Sequence, residues 1–133
     1  EVFTSPYPFL VGLETSDEAM VYSMVKIMHT HFEEYKNNAP GAGGWTLDRQ
    51  KFEQAFVPFH EGAIRYYREI GAWTDDAEEN NKKNLYRQSI LKEAWDQFLP
   101  SAPEGYREFE EAWTTFREQA LAKVNLITLG QGL

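Results

Sequence analysis

The feature that most limits the fold is a six-residue unit, "EAWxxF", that occurs twice in the C-terminal half. It begins at Glu93 and again at Glu111, each time within a long stretch of helical periodicity. A Trp and a Phe three residues apart share one face of an α-helix. The turn "PSAPEG" between the two stretches predicts that they pair as an antiparallel hairpin, with Trp95 and Trp113 buried in its seam.

Most of the remaining chain also has helical periodicity. In "TSDEAMVYSMVKIMHTHFEEY", Thr15 and Glu18 have capping-box spacing, so a helix is predicted from there to about Tyr35. The methionine stripe of this helix is expected to face the core; it consists of Met20, Met24 and Met28. Other helices are predicted after Thr46 to about Phe56, over "HEGAIRYYREIG" up to Gly71, from Thr74 to Leu99 and from about Tyr106 to Val124.

The first segment departs from this pattern. "EVFTSPYPFLVGLE" is rich in apolar and aromatic residues, but Pro6 and Pro8 cannot donate hydrogen bonds to a central strand. Residues 9–13 are therefore predicted to form an extended or edge segment. The predicted fold class is mainly α: a helical bundle or helical hairpin assembly with a short extended N-terminal segment.

Composition excludes several classes of function. The chain of 133 residues has 13 Lys plus Arg against 21 Asp plus Glu, a formal charge of -8 that disfavours nucleic acid as a partner. It contains no cysteine, which excludes disulfides and thiolate metal sites. No apolar run approaches the roughly 20 residues of a membrane span, and the sequence from Glu1 does not have the pattern of a charged-then-apolar leader. We expect a soluble, processed or trimmed product.

The stretch "VPFHEGAIRYYREIGAW" is the strongest candidate for a site. His60-Glu61 lacks the second histidine of a zinc-protease helix, because position 64 is Ile. His29 and His31 are two residues apart and point in different directions on a helix. "TDDAEENN" lacks the glycine and terminal glutamate of a calcium loop. We therefore predict no metal, no cofactor and no catalytic residue, and expect that the protein is not an enzyme.

The helix that this stretch predicts has an alternative interpretation, in which its side chains contact a ligand. Its two arginines and two tyrosines are Arg65, Tyr66, Tyr67 and Arg68. These side chains have the chemistry to bind an anion or to stack on a ligand. Consecutive aromatic residues on a short helix more often bury one ring and leave the other at the rim.

The same stretch carries a resemblance. Together with "YPFLVGLETSDEAMVYSMVKIMHTHF" before it, it resembles the C-terminal part of the TAXI family of TRAP-transporter solute receptors, which are bacterial. As in that family, a Tyr-Pro segment comes first, a helix with an acidic cap and Val-Tyr follows, and a Pro-x-His motif comes late. The motif positions are Pro58, His60, Gly62, Ala63, Arg65, Tyr66, Tyr67 and Glu69, with Glu61 where the family usually has proline.

The resemblance implies a structural role for these eight residues and leaves the ligand-binding residues unknown. A full-length relative would have a two-lobed α/β periplasmic-binding-protein fold, of which this chain would be a single helical C-terminal region. Residues 1–73 would be the family-like core and residues 74–133 a long helical hairpin extension. Most ligand-contacting residues of such a receptor would lie elsewhere.

The function implied is that of a periplasmic substrate-binding component that captures a small organic solute, with a carboxylate the expected class, for TRAP membrane permease subunits. The alternative is a helical protein-protein interaction module without a small-molecule ligand. Because the chain has too little strand to cover the segment from Val2 to Leu13 and the helix faces near Met24 and Phe56, we also expect that it forms a homodimer through this apolar surface.

Overall fold

The structure, a computed structural model, describes residues 10–126, and within this range it is mainly helical and has no β-strand. The predicted mainly α fold class is confirmed. The helices are α1 (Glu18–Thr30), α2 (Phe32–Tyr35), α3 (Glu61–Glu69), α4 (Asp75–Phe98) and α5 (Tyr106–Ala122). Short 3-10 helices span Ala42–Trp45, Leu47–Arg49, Phe52–Gln54 and Leu99–Ser101.

Residues 10–13 have no regular structure, so the extended segment predicted for residues 9–13 forms no strand where it is described. Its first residue, Phe9, lies outside the described residues. The chain divides into two compact units, with the boundary between residues 81 and 82. We refer to residues 10–81 as the N-terminal unit and to residues 82–126 as the C-terminal unit.

The N-terminal unit is built on the packing of α1 against α3. Ala63, Ile64 and Tyr66 of α3 are buried, as is Val21 of α1. α3 ends where the sequence predicted, because Gly71 adopts a φ of 70°, a left-handed conformation that favours glycine. These contacts fix the relative position of the two helices that carry the candidate site.

A second cluster holds the loop between Phe52 and Phe59 in place. The Phe52 ring lies 4.7 Å from the Tyr67 ring and 5.6 Å from the Trp73 ring, measured between centroids. Asn81 is 4% exposed, and its Oδ1 accepts a hydrogen bond from the Phe59 backbone N–H at 2.8 Å. The first turns of α4 therefore belong to the packing of this unit.

One of the helix caps predicted from the sequence is present in the structure, and another is formed by a different residue. Thr74 caps α4, because its Oγ1 accepts from the Ala77 N–H at 3.1 Å, as predicted. The cap of α1 is Asp17, whose Oδ1 accepts from the Met20 N–H at 2.7 Å, and not the Thr15 and Glu18 pair. Asp17 is three residues before Met20, which is the spacing that a capping carboxylate needs.

Two other predictions for the N-terminal unit are wrong. The helix predicted up to Tyr35 is interrupted at His31, so that a four-residue α2 follows α1. The helix predicted from Thr46 to about Phe56 is replaced by two 3-10 turns, and the Thr46 side chain makes no cap hydrogen bond. Pro58 lies close behind this segment and disfavours helical backbone at the residue before it.

The methionine stripe was also assigned to the wrong side of α1. Met20 is 56% exposed and Met24 is 38% exposed, whereas Val21 is 8% exposed. The buried face therefore lies about 100° around the helix from the stripe, because adjacent residues are separated by that angle. Met28, which is half-buried, lies between the two faces.

In the C-terminal unit the two copies of the "EAWxxF" unit are in contact, as predicted. The Trp95 and Trp113 rings are 4.9 Å apart and nearly perpendicular, and the Phe98 ring lies 5.4 Å from Trp113. Phe98 is 4% exposed, but both tryptophans are only half-buried. The Trp95 and Trp113 rings therefore meet in the seam, as predicted, and Phe98 is more deeply buried than either of them.

Candidate functional site

The candidate site is the seam between α1 and α3, which contains most of the motif residues identified in the sequence. Its closest approach is at Gly62. A Cβ atom added there would lie 2.4 Å from the Glu18 carbonyl oxygen and 2.8 Å from the Tyr22 backbone nitrogen. Only glycine allows the two helix backbones to come this close.

His60 fixes the start of α3. Its Nδ1 accepts a hydrogen bond from the Gly62 N–H at 3.1 Å, and its Nε2 lies 3.1 Å from the Ser16 carbonyl oxygen. A neutral imidazole protonated on Nε2 satisfies both contacts at once. His60 therefore caps α3 and ties it to the loop before α1, and neither ring nitrogen is left to bind a metal.

An ion pair and a phenol join the middle of α1 to the last residue of α3. The Lys26 Nζ donates to the Tyr22 Oη and to the Glu69 Oε1, both at 3.0 Å, and the Tyr22 hydroxyl donates to the other oxygen of Glu69. The hydrogen bonds from Tyr22 and Lys26 lower the pKa of Glu69. Those to Tyr22 and Glu69 raise the pKa of Lys26, so both groups stay charged at neutral pH.

The two consecutive tyrosines face different clusters. The Tyr66 ring is 2% exposed, packs edge-on against Tyr22, and has its hydroxyl 2.6 Å from the His29 Nδ1. Tyr67 faces the cluster of Phe52 and Phe59, and its burial raises its pKa to about 12. Both rings are held by protein contacts.

The two arginines of α3 both have carboxylate partners. The Arg65 guanidinium lies 4.0 Å from the Tyr22 ring centroid and donates to Glu18 at 2.8 Å. Arg68 donates to the Glu78 Oε2 at 2.7 Å, and the Trp73 indole N–H donates to the same oxygen. This arrangement disfavours the alternative in which these side chains bind an anion, because a carboxylate of the same unit already neutralises each guanidinium.

The sequence-predicted residues therefore occupy three places. His60 and Gly62 set the entry and closest approach of α3, with Pro58 just before them and Ala63 buried beside them. Arg65, Tyr66 and Glu69 contact α1, and Tyr67 contacts the Phe52 cluster.

Sequence reasoning missed the contribution of α1 to this site. Its four seam residues are Glu18, Tyr22, Lys26 and His29. They are spaced by four, four and three residues, so the polar stripe was present in the sequence. The adjacent methionines hid it, because they were assigned to the core.

The side chains of the seam pair with one another, as expected for a contact whose role is to hold two helices together. Lys26 and Arg65 supply two positive charges, and Glu18 and Glu69 supply two negative charges, in direct pairs. Within residues 10–126 no group of three His, Cys, Asp or Glu side chains is placed to hold a metal ion. No helix in the same range is long and apolar enough to cross a membrane.

Comparison with known proteins finds a family model that matches part of the chain. The sequence model of the NMT1-like family, which is related to periplasmic solute-binding proteins, matches residues 7–71, just under half of the chain. The match includes all of α1 and α3 and every motif residue of the seam. No curated protein and no solved structure matches the chain.

Proposed function

We propose that this protein acts as the solute-binding component of a TRAP-type uptake system outside the cytoplasmic membrane. The observation that carries the proposal is the NMT1-like match over residues 7–71. It coincides with the helix pair whose packing depends on the motif residues Gly62, His60 and Glu69. The resemblance of this motif to the TAXI family supports the narrower assignment to a TRAP receptor, delivering solute to membrane permease subunits.

In this proposal the α1–α3 seam is a rigid support and not the solute site. Its two cations, Lys26 and Arg65, already contact carboxylates of the same unit. A carboxylate solute, the class that the family resemblance suggests, would have to compete with these carboxylates for the same positive charges. We therefore place solute contacts outside the seam. The role requires no catalysis, because a receptor binds and releases its solute unchanged.

The test is solute binding by the protein purified from its native host. Denaturation and mass spectrometry of the purified protein would identify a retained solute, and dicarboxylates, 2-oxo acids and amino acids would then be screened by thermal shift. A solute at 100 times its dissociation constant stabilises the native state by about 2.7 kcal/mol. The matched control is the uncharged amide of each acid. Absence of both a retained solute and any stabilisation would contradict the proposal.

A second candidate function is a helical interaction module without a small-molecule ligand. It is favoured by the exposed apolar side chains of Met20, Met24 and Ile27 on α1. The two functions differ in what stabilises the native protein. A solute that raises the melting temperature supports the receptor, whereas a stoichiometric complex with one identified protein, without any solute effect, supports the module.

A further inference from the structure

The sulfur atoms of the chain are concentrated on one helix. The sequence contains three methionines and no cysteine, and Met20, Met24 and Met28 all lie on α1. Their spacing of four residues makes successive methionines neighbours on the helix surface. A methionine thioether is converted by oxidants to a sulfoxide, and this change is reversible. α1 therefore carries every side chain of the protein that can undergo it.

Two of these thioethers are open to water. Met20 is 56% exposed and Met24 is 38% exposed, whereas Met28 is half-buried. Other residues make the contacts that hold α1 against α3, because Val21 is buried and the Tyr22 hydroxyl donates a hydrogen bond to a carboxylate of α3. The exposed sulfur atoms therefore lie away from the packing on which the N-terminal unit depends.

We propose that Met20 and Met24 form a reversible oxidation site for hypohalous acids, of which hypochlorous acid is the simplest probe. The thioether sulfur attacks the chlorine atom, the oxygen–chlorine bond breaks, and water then replaces chloride on the sulfur. The net products are a sulfoxide, a proton and a chloride ion, so that sulfur loses two electrons and chlorine gains two. Methionine sulfoxide reductases reverse the change with electrons from a dithiol.

This site differs from a methionine in a hydrophobic core, where a sulfoxide disrupts the packing. At Met20 and Met24 the new polar oxygen faces water, so it does not have to be desolvated. Oxidation therefore turns an apolar part of the α1 surface polar while the contact with α3 persists. This inference does not rest on the proposed function, because it depends only on the chemistry and exposure of these two side chains.

The first test compares oxidation rates in the folded and the unfolded 133-residue chain. With limiting hypochlorous acid, peptide mass spectrometry of the native protein should show Met20 oxidised at least about twofold faster than Met28, since the reaction follows exposure. In concentrated urea the rates at all three methionines should converge, because every thioether is then open to solvent. The same spread of rates in both states would overturn the proposal, because the fold would then not determine the site.

The second test asks whether the oxidised protein stays folded and can be repaired. Oxidation should leave the circular dichroism spectrum and the thermal midpoint unchanged and should lower retention on a hydrophobic-interaction column, and reductases for both sulfoxide epimers should restore that retention. The matched control combines Met20→Leu with Met24→Leu, which keeps the surface apolar without sulfur, so its retention should not respond to the oxidant. Loss of helicity on oxidation, or an equal fall in retention for the control, would contradict the proposal.

Discussion

The α1–α3 contact and the α4–α5 contact join helices by different means. At Gly62 the backbones of α1 and α3 approach so closely that a single methyl group would collide with a carbonyl oxygen. Between α4 and α5 large aromatic rings are in contact, and Phe98 lies 5.3 Å from Phe109, 5.4 Å from Trp113 and 5.6 Å from Phe116, measured between ring centroids. The first contact is limited by steric exclusion, and the second depends on the volume that aromatic side chains fill.

The largest effect is expected in the ring cluster. Phe98→Ala removes a ring that is 4% exposed and should lower the free energy of unfolding by about 3 to 5 kcal/mol, because it leaves a cavity. Urea unfolding followed by circular dichroism measures the change. The control is Tyr106→Ala, at a side chain that is 84% exposed, for which we expect a change within about 0.5 kcal/mol. Similar losses for both would show that Phe98 is not the centre of the cluster.

The backbone contact at Gly62 should contribute nearly as much to the free energy of unfolding as the Phe98 ring, although the substitution that tests it is much smaller. Gly62→Ala adds one methyl group 2.4 Å from the Glu18 oxygen, which forces α1 and α3 apart and should cost about 3 kcal/mol. Gly43→Ala is the matched control, since a Cβ there meets nothing within 4 Å. Comparable stability of the Gly62 variant and the Gly43 variant would refute the close approach.

A smaller loss is expected at the entry to α3. His60→Ala removes the acceptor for the Gly62 N–H and should cost about 1 kcal/mol. His60→Asn supplies another good N-cap acceptor and should recover most of that loss. Thermal unfolding of the three proteins under identical conditions measures these differences. If asparagine fails to recover stability, the cap is not the main contribution of His60.

The sequence was sufficient to predict helix ends where a single residue determines the local backbone geometry. Gly71 and Thr74 marked the end of α3 and the start of α4, because a left-handed glycine and a capping hydroxyl act within a few residues. His60 was correctly placed at a helix N-terminus for the same reason. The site residues on α3 were identified from the motif, but their partners on α1 were not.

The remaining features depend on tertiary packing, which the periodicity of the sequence does not determine. α1 has two apolar rows, one with Val21 and one with Met24, and the sequence alone does not state which one α3 covers. In the structure α3 covers the row with Val21, and Gly62 makes the close approach there possible, beside Glu18 and Tyr22. Likewise, the "EAWxxF" repeat predicted that its two copies meet, but not that Phe98 would be more buried than Trp95.

The smallest expected effect is the pH dependence of the seam. The pKa of Glu69 is lowered by its hydrogen bonds to Tyr22 and Lys26, so the carboxylate stabilises the folded protein at pH values above its unfolded-state pKa. That contribution should be lost as the pH falls through the lower folded-state value. The raised pKa of Lys26 acts in the opposite direction, with a contribution lost only in strongly alkaline solution.

Glu69→Gln should therefore flatten the acid side of the stability profile while leaving the profile near neutrality similar in shape. The contribution is modest because the Lys26 and Glu69 side chains are 43% and 48% exposed, and water and salt screen such pairs. The measurement is the urea midpoint of both proteins at intervals between pH 3 and pH 7, at low salt and again at high salt. Salt should reduce the difference between the two profiles, since an exposed ion pair is weakened by screening. Profiles that fall in parallel through the acid range would show that Glu69 binds its proton equally well in the folded and unfolded states, and that the polar end of the α1–α3 contact adds little to what Gly62 already provides.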